Sequence, residues 1–221
     1  MKLITELYRE QLKTWPWQGR HIMAQFDAES IVVYQAYNPA IGHFAARHGY
    51  FGGEFRPTRM SWIKPNFLWM MYRSGWGTKP NQEVTLAVRI KLSLWEDILA
   101  QAVVSSFNAE DFEDNNAWRK AVEDSEVRLQ WDPDHDPYGQ KSQRRAIQLG
   151  LRGEMLQRYI RDEVLEIKDI SSWVEIQRQY VLTHQLDRLD LPSERVYKPS
   201  SQTTIEKLRL DQFFDEDVQN L

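Results

Sequence analysis

Apolar and polar residues alternate over several short segments, a spacing of two that is typical of half-buried β-strands. The clearest example is Val84, Leu86, Val88 and Ile90, which share one face of a predicted strand over 83–92. A run of β-branched and aromatic residues predicts another strand from Ser30 to Tyr37. Three further strands are predicted over 59–62, 126–131 and 145–151.

Other segments carry apolar residues at helical spacing and are bounded by start and stop signals. Asn38 and Pro39 suit the N-cap and first position of a helix that ends near His48, with Gly49 at its C-terminal boundary. Further helices are predicted over 4–12, 66–73, 95–104, 153–160 and 171–182. Strands and helices mix without a regular strand–helix–strand repeat. The pattern therefore predicts an α+β fold with a mixed or antiparallel sheet and flanking helices.

The length of the chain favours one large domain. Its 221 residues are 42% apolar, enough to bury a substantial core, so we predict a single domain over residues 1–188. From residue 189 onward the chain is polar, with Pro192, Pro199 and a Ser/Thr-rich run over 200–204. We predict a loosely packed C-terminal tail over 189–221.

Composition excludes several classes of protein. The chain has no cysteine, which excludes a disulfide framework, thiol catalysis and cysteine-based zinc sites. Its N-terminus does not resemble a signal peptide, and no run approaches the roughly 18 apolar residues needed to cross a bilayer. We expect a cytoplasmic protein with no membrane partner. The acidic run 132–136 is flanked by turn-forming prolines, so we interpret it as a rigid turn and predict no metal site.

Charge is distributed unevenly along the chain. The net charge is −4, yet the segment from Arg56 to Lys91 contains seven Lys or Arg and only one acid, Glu83. A local positive field can bind an anion even in an acidic protein. The alternative is that these charges interleave with acids on the folded surface and cancel.

The segment 59–79 combines aromatic residues with cations. Such segments can stack bases on aromatic rings while cations hold phosphates, although core packing also explains the apolar members. Lys64 precedes Pro65, which fixes its backbone in an extended conformation, and it is a candidate nucleophile or phosphate contact. The other candidate ligand-binding residues here are Arg59, Trp62, Arg73, Trp76 and Lys79.

Two further groups could act on a phosphate. Arg152 lies between a predicted strand and a predicted helix N-terminus, where free N–H groups favour an anion, although an ordinary turn also explains it. His21 is a candidate for proton transfer because histidine titrates near neutral pH, and Arg20 beside it is a candidate phosphate contact.

Four stretches of the sequence carry a family resemblance: 24–27, 34–38, 148–153 and the long aromatic run 62–76. Over most of residues 15 to 185 the chain resembles the bacterial and fungal family known as domain of unknown function 4291. This resemblance implies no activity.

A second resemblance concerns the fold. Tyr34-Gln35-Ala36, followed by a helix and the run 45–51, is similar to the opening of ADP-ribosyltransferase-type domains, in which the first strand and helix frame nicotinamide. The resemblance implies an ADP-ribosyltransferase-like fold, NAD or another nucleotide as cofactor, and Tyr34, Gln35 and Tyr37 as ligand contacts. Those domains usually have Arg or His where Gln35 stands. They also have a late catalytic Glu, for which Glu154 and Glu83 are available, whereas related RNA 2′-phosphotransferases use Arg and His.

The leading hypothesis is a transferase, or a former enzyme, that binds a nucleotide or a nucleic-acid phosphate. We expect its cleft to be lined by Tyr34, Tyr37, Trp62, Lys64, Arg73, Trp76 and Arg152. The alternatives are a non-catalytic module that binds single-stranded RNA or DNA and a protein–protein interaction module. The reaction, cofactor and oligomeric state stay open.

Overall fold

The centre of the fold is a three-stranded antiparallel sheet. The computed structural model describes residues 3–212. In this sheet β6 (Val84–Lys91) lies between β4 (Ser30–Tyr37) and β10 (Val164–Asp169). The register of β4 against β6 runs from Ser30 opposite Lys91 to Tyr37 opposite Val84.

A five-stranded mixed sheet packs beside it. Its order is β2 (Gln18–Arg20), β9 (Lys141–Leu151), β8 (Val127–His135) and β7 (Val103–Val104), and β5 (Ser61–Ile63) pairs with the end of β9. Strands β8 and β5 are antiparallel to β9, whereas β2 and β7 run parallel to their neighbours. Two small ladders pair β1 (Thr5–Leu7) with β11 (Asp190–Pro192) and β3 (Ile22–Ala24) with β12 (Arg195–Tyr197).

Helices surround these sheets, and the predicted α+β class is confirmed. Their bounds are α1 (Tyr8–Leu12), α2 (Pro39–His48), α3 (Phe67–Ser74), α4 (Leu92–Gln101), α5 (Asn115–Asp124), α6 (Gly153–Gln157), α7 (Ser171–Leu182) and α8 (Gln202–Leu208). A π-helical turn, Arg158–Asp162, follows α6, and a 3₁₀ turn, Leu186–Arg188, follows α7. Within residues 3–212, none of the helices has the length and apolar character needed to span a bilayer.

Apolar residues on both faces of the three-stranded sheet are buried. Ile31 and Val33 of β4 belong to a core shared with the five-stranded sheet and α4. Val32 and Tyr34 point to the other face and join a second core with α3 and α7. Alternation along β4 therefore sends neighbouring residues into different cores.

Most predicted elements are confirmed, including two helix boundaries. The Asn38 side chain accepts a hydrogen bond from Ile41 N at 2.9 Å, and Gly49 ends α2 with a positive φ of 74°. Asn66 caps α3 by accepting from Trp69 N at 2.7 Å. Both caps satisfy N–H groups that a helix start leaves unpaired.

Four predictions of extent were wrong. The segment 4–12 starts as a strand because β11 pairs with residues 5–7, and the helix predicted over 95–104 starts at Leu92 and ends at Gln101. The helix predicted over 153–160 gives way to a π-helical turn after Gln157. Strand β8 continues through the predicted acidic turn because it stays paired with β9 as far as His135, opposite Lys141, and Asp134 forms a buried ion pair with Arg144 at 2.6 Å.

The C-terminal segment was predicted to be loosely packed from residue 189, and this is wrong for residues 189–212. Strands β11 and β12 complete two ladders, and the buried side chains of Leu189, Leu191 and Tyr197 lie in the cores. The domain therefore extends past the predicted boundary at 188. Residues 213–221 of the predicted tail lie outside the described part of the chain.

Candidate functional site

A cavity of about 1160 Å³ lies between the five-stranded sheet, the end of β4 and the C-terminal half of α3. The loop 53–60 forms one side of it. Four cationic residues contribute to the lining: Arg56, Arg59, Lys64 and Arg73. Among the described residues that line the cavity, the acidic member is Glu54, so the charge of the lining is positive.

Lys64 is held rigidly and is largely buried. Its backbone carbonyl accepts a hydrogen bond from Tyr34 N at 2.7 Å, and Pro65 follows it. The residue is 5% exposed, and within residues 3–212 its side-chain amine has no hydrogen-bond or ion-pair partner. Burial and, to a lesser extent, the positive charge of Arg73 lower the pKa of Lys64 to about 8, and Asp132 opposes both effects.

Hydrogen-bonded polar groups form one wall of the cavity. The Gln35 amide donates to the Tyr37 hydroxyl at 2.8 Å and to Ser61 Oγ at 2.9 Å, and its oxygen accepts from the Tyr159 hydroxyl at 2.7 Å. Burial raises the pKa of Tyr37 above its ordinary value, so its hydroxyl stays neutral. The Gln35 amide is therefore occupied by hydrogen bonds within the protein. Of the groups in this network, the hydroxyls of Tyr37 and Ser61 are the best candidates for contacting a ligand.

The sheet itself supplies a second wall. Trp62 pairs with Gly150, and its indole packs so closely over the glycine that a Cβ at position 150 would lie 3.0 Å from two ring atoms. Gln148 follows two residues away on the same face of β9, and Gln130 lies opposite it on β8. Gln148 Nε2 donates to Asp132 Oδ2 at 2.7 Å and to Gln130 Oε1 at 3.1 Å.

A family model described as "Domain of unknown function (DUF4291)" matches residues 21–197. The chain belongs to this family. The matched range contains every residue that lines the cavity, from Gln35 to Gln148. Among curated proteins, no sequence matches the chain.

The structure brings together six of the residues that the sequence singled out. They are Gln35, Tyr37, Arg59, Trp62, Lys64 and Arg73. Sequence reasoning missed the amide pair Gln130 and Gln148. The one available signal was their position on the polar face of two alternating strands, which does not reveal that the strands are neighbours. The remaining candidates, Arg20, His21, Tyr34, Trp76, Lys79, Arg152 and Glu154, are absent from the cavity lining among residues 3–212.

Tyr34 does not reach the cavity because strand alternation points it the other way from Gln35 and Tyr37. Its side chain is fully buried, and its ring packs edge-on against Phe67 with 5.3 Å between the ring centres. The expectation that Tyr34 lines the cleft was wrong.

Arg152 and Glu154 do not form a phosphate site. The Arg152 guanidinium donates to the carbonyls of Glu123 at 2.6 Å and Ser125 at 2.9 Å, at the end of α5. The N–H groups of Glu154 and Met155 are already bound by the carboxylate of Glu126, at 2.9 and 2.8 Å. The place expected for an anion is therefore filled by an acidic side chain of the protein, and the expected position of Arg152 in the cleft was wrong.

Trp76 and Lys79 follow α3 in the sequence and donate hydrogen bonds to backbone carbonyls. Trp76 Nε1 donates to Pro137 O at 3.2 Å, and Lys79 Nζ donates to Arg73 O at 2.8 Å. A cation at a helix C-terminus is a common stabilising arrangement. Both residues were expected to bind a ligand, and both instead hold protein carbonyls.

The pair Arg20 and His21 lies elsewhere on the molecule. His21 is buried beside Gly19 and lines a separate cavity with Gln143. The backbone N–H of Arg20 donates to Asp211 at 2.8 Å. A role for His21 in proton transfer stays a prediction, and this role is not connected with the cavity around Lys64.

Proposed function

We propose that the cavity binds a phosphate-bearing ligand, a nucleotide or a nucleic-acid phosphate, and that Lys64 either contacts the phosphate or acts on the ligand as a base or nucleophile. The observation that carries the proposal is Lys64, a side chain only 5% exposed that lines a cationic cavity and whose amine has no hydrogen-bond or ion-pair partner within residues 3–212. Buried charges in proteins are normally paired, because an unpaired one is costly to desolvate. A bound phosphate supplies the missing partner.

The neighbouring charges favour an anion over other ligands. Arg56, Arg59 and Arg73 are exposed, and within residues 3–212 their guanidinium groups have no hydrogen-bond or ion-pair partner. Arginine binds phosphate oxygens through two parallel N–H groups, so these side chains are free to close over a phosphate. An apolar or cationic ligand gains nothing from such a lining.

Lys64 differs from these arginines in its protonation. With a pKa of about 8, roughly a quarter of Lys64 is neutral at pH 7.5. A neutral amine accepts a proton from an attacking hydroxyl or attacks an electrophile itself. A neutral amine can serve group transfer to or from a nucleotide, the reaction class that the resemblance to ADP-ribosyltransferase-type domains implies. Lys64 lines the cavity, in contrast to Glu154 and His21, and this supports the role proposed for it.

Proton uptake on binding tests this proposal. A bound phosphate raises the pKa of Lys64, so the protein takes up protons near pH 8.5 when the ligand binds. We expect calorimetry with mono- and dinucleotides and short RNA, in buffers of different ionisation enthalpy, to detect this uptake. Lys64→Met should abolish it, and affinity should fall as salt rises.

Arg73→Gln and Arg119→Gln form a matched pair, because each removes one exposed arginine from a helix and Arg119 lies on α5, outside the cavity lining. We expect about a tenfold loss of affinity for Arg73→Gln, the scale of one charge-assisted contact, and no change for Arg119→Gln. Equal losses in both variants would mean non-specific attraction, and no heat with any phosphate compound at low salt would refute the proposal.

A further inference from the structure

The amide pair on the sheet wall has a fixed orientation. Asp132 accepts hydrogen bonds only, so the atom of Gln148 at 2.7 Å from Asp132 must be the nitrogen. The second hydrogen of that nitrogen is donated to Gln130 Oε1 at 3.1 Å, which fixes the Gln130 amide as well. Asp132 thus determines the donor and acceptor positions of both glutamines.

This arrangement leaves one acceptor and one donor for a ligand. Gln148 Oε1 has no donor among the described residues, and Gln130 Nε2 keeps one hydrogen beyond its long contact of 3.4 Å to Asp132 Oδ1. Both glutamines line the cavity and are half-buried. One acceptor and one donor on paired residues are the two groups needed to bind the edge of a nucleobase.

An aromatic surface lies next to this amide pair. The indole of Trp62 covers Gly150, and Gln148 is two residues away on the same face of β9. Trp62 is half-exposed and lines the same cavity. A planar ring that stacks on Trp62 brings its edge toward Gln148 and Gln130, whereas Arg73 lies on α3 and Arg56 and Arg59 lie on the loop 53–60.

We infer that Trp62 and the Gln130–Gln148 pair form a nucleobase subsite, with Asp132 as the residue that positions both amides. The inference rests on the proposed function, because it assigns the phosphate of the same ligand to Lys64 and Arg73. The ligand is then a nucleotide unit whose base lies on the sheet wall and whose phosphate lies near α3.

The test compares ligands with and without a base. We expect adenosine or uridine 5′-monophosphate to bind wild-type protein at least tenfold more tightly than ribose 5-phosphate, the scale of one bidentate base contact. Gln148→Met and Gln130→Met keep the side-chain size and remove the hydrogen bonds. They should lower this preference to below about threefold while ribose 5-phosphate binds as before. Gln82→Met, which changes another glutamine of the cavity lining, is the matched control and should leave the preference unchanged.

A second readout does not depend on the glutamine variants. Stacking on Trp62 should quench part of the tryptophan fluorescence on nucleotide binding, and Trp62→Phe should remove this quenching. The inference is overturned if ribose 5-phosphate binds as tightly as every nucleotide, or if Gln82→Met acts like Gln148→Met.

If the proposed function itself is wrong, the result is different: ribose 5-phosphate, pyrophosphate and nucleotides all fail to bind. In that case nucleosides without phosphate decide the inference: binding that Gln148→Met weakens supports it, and absence of binding overturns it.

Discussion

The backbone N–H of Tyr34 donates a 2.7 Å hydrogen bond to the carbonyl of Lys64. This bond joins the three-stranded sheet to the segment that follows β5, so the backbone of Lys64 is anchored on a rigid strand. Pro65 restricts the same residue from the other side. The backbone of Lys64 is therefore fixed at the junction of the two sheets, and its side chain extends from there to the cavity.

Replacing Lys64 with methionine should stabilise the free protein. The lowered pKa of Lys64 means that its charged form is disfavoured in the folded state by up to about 3 kcal/mol. This cost is fully present below pH 8 and disappears as pH rises from about 8 to 10.5, because only the unfolded chain binds the proton in that range. Urea unfolding of both proteins between pH 7 and 10 should show a stability difference that narrows with pH. A constant difference would contradict the lowered pKa.

Lys64 should react with amine reagents at lower pH than exposed lysines. Labelling with trinitrobenzenesulfonate, followed by mass spectrometry, should give a midpoint near pH 8 at Lys64. Exposed Lys91 in the same digest is the reference site for the extent of labelling. Arg73→Gln should raise the midpoint at Lys64, since the charge of Arg73 lowers its pKa. If the midpoint in Arg73→Gln is unchanged, the two side chains do not interact.

Glu194→Ala should destabilise the protein, although the residue lies in the segment predicted to be loosely packed. Its buried carboxyl accepts from Phe67 N at 2.7 Å and from the Asn66 amide at 3.3 Å, at the start of α3. Leaving these donors unpaired should cost about 2–4 kcal/mol in urea unfolding. Glu206→Ala is the control, because Glu206 is exposed on α8. We expect it to change the free energy of unfolding by less than about 0.5 kcal/mol. Equal effects would mean that Glu194 does not hold α3.

The sequence predicted the elements whose signals are local and missed those that depend on partners. The caps Asn38 and Asn66 act within one turn, so both helix starts could be predicted. In contrast, residues 5–7 became a strand because β11 lies beside them, some 180 residues away in the chain. Helical spacing over nine residues could not outweigh that pairing, because propensity is weaker than tertiary context.

The same limit applied to the site. Lys64 and Arg73 could be predicted to share one cavity because they are close in sequence, with Lys64 just before α3 and Arg73 in its last turn. Tyr34 and Tyr37 looked equivalent in the sequence. They differ because Tyr34 lies on the face of β4 that packs against α3. The amide pair could not be predicted because no local signal in the sequence indicates that residue 130 pairs with residue 148.

Arg152→Ala should affect stability and leave ligand binding unchanged. Its guanidinium donates to the carbonyls of Glu123 and Ser125 at the end of α5, and we expect the loss of these hydrogen bonds to cost about 1–3 kcal/mol. Calorimetry with a mononucleotide should give the wild-type affinity within about twofold, a change below about 0.5 kcal/mol. Arg119→Ala, an exposed arginine on α5, should change neither property. If Arg152→Ala weakens binding without loss of stability, Arg152 contributes to the ligand site.

Gly150→Ala tests whether the position of Trp62 matters for the base. Gly150 lacks the positive φ that favours glycine, so alanine is not strained there, but its Cβ would lie 2.6 Å from Met60 Sδ and 3.0 Å from the Trp62 ring. The methionine end can move aside, whereas the indole must shift by a few tenths of an ångström. We expect a stability loss of about 1 kcal/mol and a clear fall in nucleotide affinity, with ribose 5-phosphate affinity unchanged. Gly49→Ala is the control. Its φ of 74° strains alanine, so we expect a loss of stability similar to that of Gly150→Ala. Nothing lies within 4 Å of the new Cβ, and Gly49 does not line the cavity. If Gly49→Ala lowers nucleotide affinity as much as Gly150→Ala does, the effect comes from stability alone and Trp62 is not a base contact.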